Sequence, residues 1–121
     1  MTVDPQQFAG DDFCYLTTTG RVSGRPHTIE IWFALDRRTL YMLAGDHGSD
    51  WVKNLRRSPA VTVRLRDAVL GGAGRVVAPH GEEDALARRL VLGKYQPRDG
   101  DDLSEWGRTA LAVAIDLAGA P

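Results

Sequence analysis

The chain has 121 residues, 43% of them hydrophobic and 26% charged, with a net charge of -1. That size suits one domain able to bury roughly two-thirds of its unfolded surface. The composition excludes a fibrous chain and long disorder, and the single cysteine, Cys14, excludes an intrachain disulfide and a cysteine metal cluster.

Met1 to Gln7 lacks the cationic and apolar segments of a secretion signal, so cytoplasmic residence is the expectation. Residues 1–10 read as an N-terminal segment, flexible or a short helix, on a single domain spanning 1–121. Phe13 to Thr19 is rich in aromatics and threonine and predicts a first strand. Within it Cys14 reads as a small buried residue rather than a nucleophile.

The loop Gly20 to His27 follows. With its flanking threonines it packs two glycines, a proline, two arginines, a histidine and several hydroxyls between two strands. Glycine lets backbone amides approach a ligand, and arginine presents forked donors matched to phosphate oxygens. A glycine-rich turn with solvated arginines is the plain alternative.

His27 to Leu35 alternates, with Ile29, Ile31, Phe33 and Leu35 on a core face and Thr28, Glu30 and Trp32 on the other, a face open to a ligand or to a homodimer contact. Asp36 to Thr39 is a turn, and Leu40 to Ala44 completes a hairpin. The turn Gly45-Asp46-His47-Gly48 leads to a helix capped by Ser49, begun by Asp50 and stopped by Ser58-Pro59, with Trp51, Val52 and Leu55 as its buried stripe. A helix start attracts anions, but Asp46 and Asp50 oppose that here, so the arginine loop must supply most of any anion affinity.

Val61, Val63 and Leu65 alternate with Thr62, Arg64 and Arg66 in a strand whose outer face is cationic. Val69 to Val77 reads as the next strand, its Gly71, Gly72 and Gly74 marking a bulge or bend rather than a phosphate loop. From Glu82 to about Tyr95 the spacing predicts a helix buried along Leu86, Leu90 and Val91, and Gln96 to Asp102 reads as loop. A last strand, Thr109 to Leu117, closes the sheet. The apolar run Ala110 to Ala120, broken by Asp116, is too short for a membrane span.

Charge is uneven. Gly20 to Arg66 holds nine Arg and Lys against four Asp and Glu, while the remainder holds six against twelve. A positive middle in a near-neutral chain favours a local anionic ligand over a nucleic acid. His27, His47 and His80 lack the spacing of a metal site, and no metal is expected.

Six strands with two to three helices predict a mainly β (α+β) antiparallel barrel with helical plugs. The succession Tyr15-Leu16-Thr17-Thr18-Thr19-Gly20-Arg21, Ser23-Gly24-Arg25-Pro26, the Gly45 to Gly48 turn and Trp51-Val52-Lys53-Asn54-Leu55 resembles the deazaflavin-dependent nitroreductase family. The resemblance implies the six-stranded split β-barrel of the FMN-binding type. It also implies an oxidoreductase that passes hydride from reduced deazaflavin coenzyme F-420 to a small electron-poor acceptor such as a quinone, enone or nitroaromatic.

Carried onto this chain, the resemblance matches Arg21, Ser23 and Gly24 directly and makes Thr19, His27, Gly45, Asp46, His47, Gly48, Trp51 and Asn54 further candidate cofactor contacts, with Tyr95 a candidate proton donor. Trp51 serves equally well as a core residue, Asn54 reads more readily as a side chain that hydrogen-bonds the loop backbone, and Tyr95 as half-buried packing. The family's cations at Val22, His27 and the Gly45 to Gly48 turn are missing or weakened here. An FMN-dependent enzyme of the same barrel is therefore the nearest alternative. A non-catalytic carrier of flavin, tetrapyrrole or fatty acid is another.

Overall fold

The computed structural model describes residues 3–118. Residues 1–2 and 119–121, the outer ends of the expected single domain, of its N-terminal segment and of the apolar run to Ala120, lie outside the described residues. A 3₁₀ turn at Pro5–Phe8 precedes the strands β1 (Cys14–Thr19), β2 (Pro26–Ile31), β3 (Ala34–Asp36) and β4 (Thr39–Ala44). Helix α1 (Asp50–Arg57), the long hairpin β5 (Ala60–Leu65) and β6 (Ala68–Val76), helices α2 (Glu82–Tyr95) and α3 (Ser104–Thr109), and strand β7 (Leu111–Leu117) complete the chain.

All strand pairs are antiparallel, in the order β2-β1-β5-β6-β7-β4-β3. The expected strand from His27 to Leu35 is therefore two strands, which makes seven rather than six among the described residues. Only Trp32 and Phe33 separate β2 from β3, yet these two strands form opposite edges of the sheet. A sheet whose edges are two residues apart in the chain has to curl round, and the split barrel follows from that connection.

The break is held by buried groups. Tyr95 Oη accepts from the Phe33 amide at 3.0 Å and lies 2.8 Å from the Asp12 carbonyl and 3.0 Å from that of Phe33, either of which accepts its proton. Lys94 Nζ donates to the Phe33 carbonyl at 2.9 Å and sits 3.7 Å from the Phe33 ring centre. The Trp32 ring stacks on Tyr95, centroids 4.3 Å apart. Two backbone groups that the ladder would otherwise pair are thus satisfied by α2 side chains, as burial requires.

Two apolar clusters form the core. Inside the barrel, Cys14, Leu16, Phe33, Leu40, Met42, Leu55, Val63, Leu65, Val113 and Ile115 meet, joined by Ile29, Ile31 and Leu35 from the face expected to be core. Outside it, α2 and α3 cover β4 and β7 through Tyr41, Leu43, Ala87, Val91, Tyr95, Ala112 and Ala114, with Trp32 and Trp106 at the margin. Trp32 therefore belongs to the second cluster and leaves the proposed dimer face to Thr28 and Glu30. Arg75 of β6 clasps Glu83 of α2 at 2.6 Å and Asp116 of β7 at 2.7 Å, tying helix to sheet.

Three local readings change. The α2 stripe runs through Asp84, Ala87, Val91 and Tyr95, with Leu86 and Leu90 only half-buried. The expected last strand begins at Leu111 rather than Thr109, since Thr109 ends the short helix α3, which Gly107 fits because any Cβ there would collide with Leu92. The β6 glycines mark no bulge, since the register to β5 and β7 is continuous. A Cβ on Gly72 would lie 2.9 Å from the Asp116 carbonyl oxygen, and one on Gly74 would lie 3.2 Å from Ile115 Cδ1 and 3.4 Å from Leu55 Cβ. These glycines admit close packing of β7 and α1.

Candidate functional site

The loop after β1 folds back on itself. Gly20 N–H donates to the Arg25 carbonyl at 2.8 Å, Gly24 N–H donates to the Gly20 carbonyl at 2.9 Å, and Gly24 takes φ +73°, a conformation suited to glycine. Gly20 leaves room for the side chains of His27 and Ser23. A Cβ there would sit 2.6 Å from His27 Nε2 and 2.7 Å from Ser23 Oγ.

Helix α1 anchors this loop through Asn54, which is 3% exposed. Asn54 Oδ1 accepts from the Arg21 backbone N–H at 3.1 Å and from Arg21 Nη1 at 2.9 Å, while its Nδ2 donates to Thr18 Oγ1 at 3.2 Å. Arg21 Nη2 pairs with Asp50 Oδ1 at 3.0 Å. Loop, strand and helix thus share one buried amide, which satisfies all of the groups it touches.

Between them lies a groove of about 480 Å³, lined by Thr18, Arg21, Ser23, His27, Ile29 and Trp51 together with Gly20, Val22, Thr28, Asp50 and Asn54. Such a volume falls in the usual range for small-molecule sites. Its wall carries apolar surface from Ile29 and Trp51, the hydroxyls of Thr18, Ser23 and Thr28, and the donors of Arg21 and His27. Trp51 is half-buried and also packs on the barrel core, so it joins both roles that its position allows. Asn54 is the anchor of the loop.

Several expected contacts do not border this groove. Thr19 faces outward from β1, and its neighbour Thr18, 2% exposed, takes the inward place, because side chains alternate along a strand. Gly24 shapes the loop without lining the groove. In the turn Gly45 to Gly48, Asp46 Oδ1 accepts from the Gly48 amide at 2.8 Å, and His47 Nε2 donates to the Thr109 carbonyl at 2.7 Å. Gly45 lies against Trp106. This turn is fastened toward α3.

Tyr95, the candidate proton donor, is 2% exposed and engaged at the β2–β3 break, with burial pushing its hydroxyl up to about 12. Its geometry is that of a strut in the barrel wall. Burial likewise pushes the Cys14 thiol up to about 12, in keeping with an inert core residue.

The inward Thr18 and the partner carboxylate Asp50 are groove residues that sequence reasoning passed over, while Thr28 lies on the face read as open to a ligand or partner. Counting alternation from Leu16 finds Thr18; nothing in the sequence brings Asp50 to Arg21. Ser49 occupies the α1 N-cap position without a side-chain capping bond, against expectation, and its Oγ is buried and unpartnered.

A second hollow, of about 500 Å³, lies at the far end of β1 around Phe13, Tyr15, Arg64 and Arg66. There Arg66 already forms a double hydrogen bond with Asp11, and Arg64 lies over the Tyr15 ring at 4.3 Å. Among the described residues no cluster of His, Cys, Asp and Glu is arranged to hold a metal ion, and no helix is long and apolar enough to cross a membrane.

The family model described as F420H2-dependent quinone reductase matches residues 3–116. The chain belongs to the F420H2-dependent quinone reductase family. Its members are deazaflavin-dependent oxidoreductases, and this chain is an enzyme of that type. Curated proteins offer no match to it.

Solved structures share the fold. An F420-H2 dependent reductase, FDR-A, is 22% identical with a TM-score of 0.70, covering 87% of this chain and 94% of that one. HutZ, the heme storage protein of Vibrio cholerae, is 15% identical with a TM-score of 0.71, covering 99% and 93%. A FAD-binding protein of Mesorhizobium loti is 16% identical with a TM-score of 0.64, covering 100% and 98%. The quinone reductase family and its split-barrel relatives agree with the resemblance read from Tyr15 to Leu55.

Proposed function

We propose that the protein binds reduced coenzyme F-420 in the groove between the Gly20 to His27 loop and α1, and delivers hydride to a small, flat, electron-poor acceptor. A quinone is the first choice, and enones and nitroaromatics share the required chemistry. The observation that carries this reading is the fixing of Arg21 by Asn54 at the mouth of a groove of about 480 Å³ with one apolar wall. The donor set fits a cofactor that combines an anionic group with a flat ring: Arg21, Ser23 and His27 toward the anion, Ile29 and Trp51 toward the ring.

Bound F-420 supplies the hydride, as cofactors carry the hard chemistry in such enzymes. The chain's own work is positional. Asn54 sets the loop, Arg21 offers charge-assisted hydrogen bonds to an anion, Trp51 and Ile29 exclude water from one side, and His27, near Ser23 at 3.5 Å, adds a polar edge. No acid of the chain is assigned to protonate the acceptor, since Tyr95 is engaged elsewhere.

Fluorescence titration of the purified protein with F-420 and with FMN tests the reading. Saturable binding of F-420 with quinone-dependent oxidation of its reduced form is expected, and no binding of F-420 overturns it. Arg21→Ala is expected to weaken F-420 by about 1.5 kcal/mol or more through loss of a charge-assisted hydrogen bond.

The second reading is FMN in the same groove. Arg21 and His27 are the only side chains of cationic type among the groove's lining residues, Asp50 opposes them, and Val22 at the loop tip is 93% exposed. A smaller anionic ligand answers to that thinner charge. Homodimerisation remains part of the proposal, through the outer face that carries Thr28 and Glu30. A structure of the same fold bears the description "domain-swapped dimer", at 23% identity and a TM-score of 0.71, covering 87% of this chain and 80% of that one.

A further inference from the structure

Arg21 is held by two partners of opposite character. Asn54 is 3% exposed and takes both the backbone amide and Nη1 of Arg21. Asp50 has an 86% exposed side chain, lines the same groove and takes Nη2 at 3.0 Å, while its backbone carbonyl lies 3.5 Å from Nη1. A guanidinium has five N–H donors in a fixed fork, so the buried amide fixes its position while the exposed carboxylate occupies part of the fork that faces the groove. An exposed ion pair of this kind is weak and easily exchanged.

We infer that Asp50 is a specificity-determining residue that competes with the ligand's anionic group for Arg21, so that the groove accepts only ligands whose anion can displace or share with the carboxylate. This rests on the reading of the groove as the cofactor site. Asn54 keeps the guanidinium aimed at the groove during the exchange, and Asp50 supplies the threshold.

The threshold grades ligands by the charge they bring to Arg21. A phosphate-bearing cofactor exchanges with the carboxylate, and its uncharged counterpart gains nothing from doing so. Asp50 also stands in the first turn of α1, where a carboxylate is favourable. Local folding therefore favours the residue that hinders anion binding, and the two demands meet at one position.

The test is a titration of wild type, Asp50→Asn, Asp50→Glu, Arg21→Ala and the Asp50→Asn/Arg21→Ala double variant with F-420, FMN and riboflavin, circular dichroism checking the fold of each. Asp50→Asn is expected to tighten F-420 and FMN about twofold to fivefold, within the range that an exposed charge pair represents. Riboflavin, which lacks the phosphate, is expected to bind unchanged, and Asp50→Glu to stay near wild type.

In the Arg21→Ala background the gain from Asp50→Asn is expected to vanish, which separates competition for Arg21 from repulsion by a nearby charge. Unchanged affinity in Asp50→Asn alongside a clear loss in Arg21→Ala overturns this inference and leaves the cofactor site standing. A gain that persists without Arg21 also overturns it. Wild type that binds none of the phosphate ligands overturns the cofactor site, and the inference with it.

Discussion

Asn54 joins more of the groove than any other single side chain. Its amide touches β1 through Thr18 and the loop through two groups of Arg21, so its loss leaves buried polar atoms unpaired. Asn54→Ala is expected to destabilise the fold by about 1–3 kcal/mol and to weaken cofactor binding as well, read by urea unfolding and by titration. Tyr95 makes the opposite separation. Tyr95→Phe leaves the buried Phe33 amide without its acceptor and should cost about 1–3 kcal/mol of stability, while kcat per folded molecule stays near wild type. A hundredfold fall in kcat with stability intact would return Tyr95 to catalysis, since general acids contribute about that much or more.

At the scale of elements, the alternation of β5 and β7 and the bounds of α2 were legible because each pattern has a period that burial enforces. The division of residues 26–36 into β2 and β3 was not, since the apolar alternation runs unbroken through Trp32 and Phe33. What interrupts the ladder there is a pair of α2 side chains arriving from more than sixty positions away. The β6 glycines make a similar point. Gly72→Ala pushes a Cβ into the backbone of β7 and is expected to cost about 1–3 kcal/mol, whereas Gly71→Ala meets nothing within 4 Å among the described residues and should be near neutral. Comparing the two thermal midpoints checks the assignment.

For the whole molecule, the buried charges near the barrel closure set the alkaline behaviour. Burial, aided by Arg98, pushes Lys94 down from 10.5 to about 8. Above pH 8 the folded chain sheds this proton before the unfolded chain does, so stability rises with pH. Cys14, with an ordinary value of 9.0, and Tyr41 and Tyr95, at 10.0, are each raised to about 12, mainly by burial. Above those ordinary values the unfolded chain ionises first, and stability falls again. Urea midpoints should therefore climb from about pH 8 to 9 and decline past about pH 10. Lys94→Met should abolish the climb and keep the decline; a climb that survives the substitution would assign it to another group.

The sequence by itself determined the mainly β antiparallel class, helices α1 and α2, the loop from Gly20 to His27 and the family to which the chain belongs. Each of these rests on local pattern or on residues close together in the chain. Tertiary structure alone decided which of the candidate residues share a groove. It kept Arg21, Ser23, His27, Trp51 and Asn54 together, exchanged Thr19 for Thr18, turned the Gly45 to Gly48 segment toward α3, and spent Tyr95 on closing the barrel. The reason is that a side chain's role depends on the partner already within hydrogen-bonding reach. Those partners, Asp50 for Arg21 and Phe33 for Tyr95, are brought there by the curl of the sheet, which no local window of sequence contains.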